Sequence, residues 1–206
     1  MKTLGAYYTC EKDFERLREA FLHIPDSSRD WIDYVVVLGR DAPKTLPAWL
    51  TKRVSEVWRL DVADHYLELP VKSLLMLHRF LNRNRYDGII KFDSDFIIDE
   101  KNRRTIQGWN KSNSPIQAGR IVPFVGWGEH DRYHFRHVTR EIQFPADEKR
   151  FPNRWIQGNA YYLNRAGAAK ITARLDYWNA RSFAYEDVMV SKYVGADSLR
   201  HLKVHV

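Results

Sequence analysis

The chain contains a single cysteine, Cys10, among its 206 residues. An intramolecular disulfide and any cysteine-based zinc centre are therefore excluded, and a bound metal would need oxygen or imidazole donors. Long apolar runs are also missing: nothing approaches the roughly 20 residues of a membrane-spanning helix. The charged start, Met1-Lys2-Thr3, lacks the apolar core of a signal peptide. These absences predict a soluble, cytoplasmic chain, or a domain of a longer or viral protein. There is no run of five or more Lys or Arg, no low-complexity tract and no internal repeat, which argues against a basic nucleic-acid-binding tail and against a solenoid. What is present suits a packed domain, because 44% of the residues are hydrophobic and 14% aromatic, seven of them Trp. The formal charge of +7 favours an anionic ligand, whether a nucleotide, a charged glycan, a membrane surface or nucleic acid.

Along the chain, strand-like and helix-like patterns alternate. Residues 3–9 form a short β-rich run, and residues 11–23 place Phe14, Leu17, Phe21 and Leu22 close to one helical face. Ile32 to Leu38 is β-branched and almost continuously apolar, as a strand covered on both faces requires. A third strand is expected over 57–62. Pro70 then opens a helix with Val71, Leu74, Leu75, His78 and Leu81 on one side. The next apolar run, Gly88-Ile89-Ile90, leads into Lys91-Phe92-Asp93-Ser94-Asp95. The first half therefore reads as β-α-β-α-β-α-β, with right-handed crossovers and a mostly parallel sheet. In the second half, strands are expected over 116–122 and 155–163, helices over 165–175 and 186–193, and connections that shape a pocket over 123–153. The two halves, 1–99 and 100–206, are expected to share one core.

Asp93 and Asp95 carry the sharpest chemical signal. Carboxylates are costly to bury unpaired, so they should emerge at the carboxyl edge of their strand, where α/β sheets bind ligands. A divalent cation holding a diphosphate would stabilise them there.

Several ordered motifs resemble a known family. VVVLG, DVADHYLELPVKS and KFDSDFII, followed by FPNRWIQGNAYYLN and YEDVMVSKYV, are similar in order and spacing to motifs of the β-1,3-galactosyltransferase-like glycosyltransferases. LREAF is similar to that family's I-R-x-T-W, and the whole resemblance spans roughly residues 3–195. Ser94 stands where the family has a middle aspartate, Glu68 and Pro70 where it has Asn and Thr, and Phe21 where it has Trp. The resemblance implies an α/β fold of the GT-A type, in which a Rossmann-like half with a mostly parallel sheet is fused to a smaller mixed half. It also implies an inverting transfer from a UDP-sugar to a glycan or other hydroxyl acceptor, forming a β-linkage with Mn²⁺ or Mg²⁺.

On this reading Asp95 is the main metal ligand and Asp93 a second one or a ribose contact, with His205, rather than His201, completing the shell. Asp187 is the base and Glu186 contacts or positions the acceptor, at the start of a helix. Tyr7, Tyr8 and Thr9 lie where such folds place uracil and ribose, beside Ser94, while Arg18 and Lys72 support the diphosphate. Gly158 and Asn159, with Ala160, leave room for the donor sugar. Trp127, Trp155 and Tyr161 are aromatic candidates for the acceptor side, because sugar faces pack on aromatic rings. Other readings of the residues stay open: a nucleotidyltransferase, a retaining transferase, a nucleic-acid-binding module or a nucleic-acid glycosyltransferase that uses the +7 charge.

Overall fold

The computed structural model describes residues 2–123, 153–183 and 185–205, with side chains through residue 203. Its first three strands, β1 (Lys2–Tyr8), β2 (Ile32–Leu38) and β3 (Glu56–Arg59), alternate with α1 (Phe14–His23) and α2 (Ala48–Arg53). Then come α3 (Leu69–Leu81), β4 (Tyr86–Phe92), the short β5 (Ile97–Ile98) and α4 (Arg103–Asn110). The remainder comprises β6 (Gln117–Pro123), β7 (Arg154–Asn164), α5 (Arg165–Thr172), α6 (Tyr177–Arg181), α7 (Glu186–Val194), β8 (Leu199–His201) and β9 (Val204–His205). Local chemistry sets several boundaries. Pro70 occupies the first turn of α3, where its missing N–H is no loss. The Asn164 side chain caps α5 by accepting from the Gly167 N–H at 2.9 Å, and Asp176 caps α6 through the Asn179 N–H at 2.8 Å.

Seven strands form one sheet in the order β3-β2-β1-β4-β7-β6-β8. All pairings are parallel except the two made by β7. The mostly parallel sheet expected from the sequence is thus present, and because β4 pairs with β7 it runs unbroken across residue 99.

Alternation along the strands divides the core into two layers. Ala6, Tyr8, Val35, Val37 and Ile89 face α3, α5 and α7, whereas Tyr7, Val36, Ile90 and Phe92 face α1, α2 and α4. The strand expected over 57–62 is shorter and begins one residue earlier, ending at Arg59. The buried face of α3 also differs from expectation. His78 is exposed and Leu75 and Leu81 are half-buried, while Ser73, Met76, Leu77 and Phe80 join Val71 and Leu74 inside. The helix is covered by the sheet on one side and by α5, α6 and α7 on others, so its buried surface is wider than one amphipathic stripe. Among the described residues, no helix is long and apolar enough to cross a membrane.

Candidate active site

The chain order around β1 creates a crevice. From β1 the chain moves outward through α1 to β2 and β3, then returns through α3 to β4 on the opposite side of β1. Connections leave the carboxyl ends of β1 and β4 in different directions, which is where open α/β sheets bind ligands. A cleft of ≈ 350 Å³ lies there. Its floor is Tyr8, Thr9 and Cys10 after β1, one wall is Asp93, Ser94 and Asp95 after β4, and Asp64, His65, Tyr66 and Lys72 close the side toward α3. Asp13 and Arg16, at the start of α1, form the rim.

Beneath the aspartates lies a buried ionic network. The Lys91 side chain, 2% exposed, donates from Nζ to Asp93 Oδ1 and to the Gly158 carbonyl, both at 2.6 Å, and stands 3.0 Å from Glu186 Oε1. Burial alone would push this ammonium down, but the charges of Asp93 and Glu186 outweigh it and hold Lys91 above the ordinary amine range. Glu186 Oε2 accepts from the Ser73 hydroxyl and from the Tyr161 hydroxyl, the latter at 3.1 Å. The Tyr8 hydroxyl bonds Ser73 Oγ at 2.9 Å. Burial raises Asp93, with further upward pushes from Glu186 and Asp95, against the opposing pull of Lys91.

The second acid of the doublet is placed differently. Asp187 is half-buried, accepts from the Val188 N–H at 2.8 Å, and is raised to about 7, first by burial and then by the charge of Glu186. A carboxylate poised near neutrality suits general-base work. Gly158 gives it room, because a Cβ there would stand 3.2 Å from Asp187 Cβ and 3.3 Å from Oδ2. Gly158→Ala should therefore shift the carboxylate by a few tenths of an ångström and lower kcat roughly tenfold. Nucleotide affinity should stay unchanged, as steady-state kinetics and calorimetry would show.

The predicted site residues separate into those that meet and those that do not. Asp93, Ser94, Asp95, Tyr8, Thr9 and Lys72 converge on the cleft. Asn159 joins them through its backbone, its carbonyl accepting the Asp93 N–H at 2.7 Å. The register of β5 with β9 sets His205 opposite Ile97, two residues beyond Asp95, whereas His201 lies beside Gly119 on β8. Lys72 is directed by Asp64, 2.5 Å away, and by the Thr9 carbonyl at 3.3 Å, and burial lowers its ammonium despite the Asp64 charge.

Three expectations are corrected. Tyr7 is fully buried on the opposite face of the sheet from Tyr8, stacked on Phe92 at 4.8 Å with its hydroxyl donated to the Phe96 carbonyl at 2.9 Å, so it offers a nucleotide no surface. Glu186 does not reach an acceptor, since it is 6% exposed and both its oxygens face Lys91, Ser73 or Tyr161. Arg18 is exposed away from the cleft and pairs with Glu15 at 3.6 Å. Two residues are about 200° apart on a helix, and Arg16 is the one at the rim. Arg16→Ala should weaken binding of a nucleoside diphosphate about fivefold, the equivalent of about 1 kcal/mol for an exposed charge-assisted contact. Arg18→Ala should leave the dissociation constant unchanged in the same titration. Trp155 lies on β7 opposite Val122 and is not among the residues of this cleft, while Trp127 falls outside the described residues.

Sequence reasoning passed over Lys91, Ser73, Asp64, Arg16 and Tyr66. A lysine ending an apolar strand was the signal for the first, because a buried cation there demands partners.

The donor set can be matched to a metal. The Asp95 carboxylate is exposed in the cleft and makes no hydrogen bond or ion pair among the described residues. Among the described residues, no group of three or more His, Cys, Asp or Glu side chains gathers there to enclose an ion. One or two carboxylates completed by phosphate oxygens and water is the environment that Mg²⁺ and similar hard cations accept, so Asp95 with Asp93 fits such an ion.

Comparison with solved structures gives matches across nearly the whole chain. A mannosyltransferase, PcManGT from Pyrobaculum calidifontis in complex with GDP-Man and Mn²⁺, superposes with a TM-score of 0.55 at 11% identity, over 98% of this chain and 54% of that one. S. aureus TarS 1-349 superposes with a TM-score of 0.54 at 13% identity, over 98% of this chain and 58% of that one. The chain thus spans little more than half the length of either, and the likeness establishes the GT-A type of fold. No individually curated protein matches. The sequence profile described as galactosyltransferase matches residues 16–204, a span that runs from the rim arginine through both aspartates and the Glu186-Asp187 doublet, and the chain belongs to the galactosyltransferase family.

Proposed function

We propose that the chain is an inverting glycosyltransferase that moves a sugar from a UDP-sugar to a hydroxyl of a glycan or similar acceptor, forming a β-linkage with Mn²⁺ or Mg²⁺ bound. The observation that carries this reading is the opposition of two kinds of carboxylate. Asp95 is exposed in a cleft at the crossover of the sheet, and Asp187 is poised near neutrality beyond Gly158, whose carbonyl is tied through Lys91 to Asp93.

In this scheme Asp187 takes the acceptor proton as the acceptor oxygen bonds to the anomeric carbon. The bond from that carbon to the phosphate oxygen breaks, and its electron pair leaves with UDP. Asp95 and Asp93 would hold the divalent cation, which when bound neutralises charge on the diphosphate. Lys72 and Arg16 face the same cleft and add positive charge. Glu186 keeps Lys91, and through it the Gly158 carbonyl, in place.

Family membership supports UDP as the nucleotide, whereas the Pyrobaculum structure contains GDP-Man. Asp95→Ala should abolish the Mn²⁺-dependent part of UDP binding while changing folding stability by no more than about 0.5 kcal/mol, as exposed substitutions do. Calorimetry with and without Mn²⁺ checks this, and unchanged Mn²⁺-dependent affinity would remove Asp95 from the site. Metal-dependent hydrolysis screened across UDP- and GDP-sugars should favour UDP. Turnover of GDP-sugars alone would overturn the nucleotide assignment and retain the transfer.

A further inference from the structure

One aromatic side chain of the cleft wall has had no role so far. Tyr66 lines the cleft together with Asp93 and Asp95 and leaves 45% of its surface exposed. Its ring meets that of Tyr185 edge-on, at 6.5 Å between centroids and 86° between planes. Tyr185 immediately precedes the Glu186-Asp187 doublet and is the N-cap of α7. One edge-to-face pair therefore connects the wall of the nucleotide cleft to the helix that presents Asp187.

We infer that Tyr66 is a sugar-contacting residue whose ring packs against the transferred sugar of the nucleotide-sugar donor and sets which sugars are accepted. The assignment rests on the proposed transfer, which requires the anomeric carbon to lie between the diphosphate and Asp187, and Tyr66 touches both sides of that span through the cleft wall and through Tyr185. Aliphatic C–H groups on one face of a pyranose carry slight positive charge and complement the negative face of an aromatic ring, and a ring fixed by an edge contact loses little entropy on binding. Gly158, which has no side chain, lies against the Asp187 carboxylate. The phenol is itself pushed up by burial and then by the charges of Asp187, Glu186 and Asp93. It therefore remains a hydrogen-bond donor throughout the range in which Asp187 titrates. A donor beside a hydroxyl-rich ligand discriminates epimers, because an unmatched hydroxyl leaves polar groups unpaired.

The test compares UDP with a panel of UDP-sugars on the wild-type chain, Tyr66→Phe and Tyr66→Ala, by calorimetry with Mn²⁺ and by donor hydrolysis. Tyr66→Ala should bind UDP as the wild type does but weaken the preferred UDP-sugar about tenfold, the scale of one lost aromatic contact. Tyr66→Phe should keep most of that affinity and lose preference between hexose epimers. Equal weakening of UDP and UDP-sugar in Tyr66→Ala would make the ring a nucleotide contact and overturn the assignment. So would unchanged affinity and epimer preference in both variants, or a change confined to the acceptor KM. Failure of the wild-type chain to bind any UDP-sugar would instead overturn the UDP-sugar reading on which the assignment rests, so the two failures are distinguishable.

Discussion

Asp187→Asn should bind UDP-sugar with wild-type affinity and lose about 10²- to 10⁴-fold in transfer rate, the usual contribution of a positioned general base. The substitution keeps the shape of the side chain and the acceptor for the Val188 N–H, so a loss confined to turnover isolates the proton transfer. In the wild type, kcat/KM should rise with pH to a limb near 7 and then level off, because Asp187 is raised to about 7 and serves as base only when ionised. Stability carries the opposite sign. The folded chain holds this proton more tightly than the unfolded one, so Asp187 contributes least harm below the ordinary carboxylate range, and its ionisation destabilises the fold progressively as pH rises toward and through 7. Asp187→Asn should therefore raise Tm at pH 8 and leave it nearly unchanged at pH 4. Near-normal turnover of the variant would remove Asp187 as the base.

Lys91→Met should be the most destabilising single change in the site. It removes the cation from a cluster in which Lys91 is 2% and Glu186 6% exposed, and a buried carboxylate left without its counter-ion typically costs about 3–5 kcal/mol. For a chain of this size that corresponds to a fall in Tm of roughly 6–20 °C. Adding Glu186→Gln to Lys91→Met should restore a substantial part of the loss, since the amide removes the unpaired charge while keeping a partner for Ser73 and Tyr161. Chemical denaturation of the two single variants and the double variant closes the cycle. Additive effects would show that the two groups do not act as one unit, and Glu186 would then lose its positioning role.

The strands of the parallel half were legible because burial on both faces leaves a continuous apolar signature. Ile32 to Leu38 matches β2 residue for residue, and the apolar run before Asp93 is β4. Amphipathic periodicity was a poorer guide to α3, which is covered by a sheet and three helices and so carries no single stripe. Asp93 and Asp95 stood out by their position after a strand, and Asp187 by the family resemblance. Their neighbours were not. Arg16 and Arg18 are equivalent as residue types, and only the direction in which α1 leaves β1 turns the first toward the cleft.

The sequence by itself determined the class of fold, the order of its parallel strands' signals and the family, because these depend on hydrophobic periodicity and on motifs that are local in the chain. Tertiary structure decided where each member of an adjacent pair faces. Tyr7 and Tyr8 are neighbours on a strand, so alternation sends one into the α1 layer and the other to the cleft. Glu186 and Asp187 are neighbours on a helix, about 100° apart, which points the first at Lys91 and leaves the second beside Gly158. The first carboxylate packs against an ammonium, whereas the second, buried beside a like charge, is driven toward neutrality. That difference arises only when residues distant in the chain, Lys91, Gly158 and Ser73 among them, are packed around the doublet.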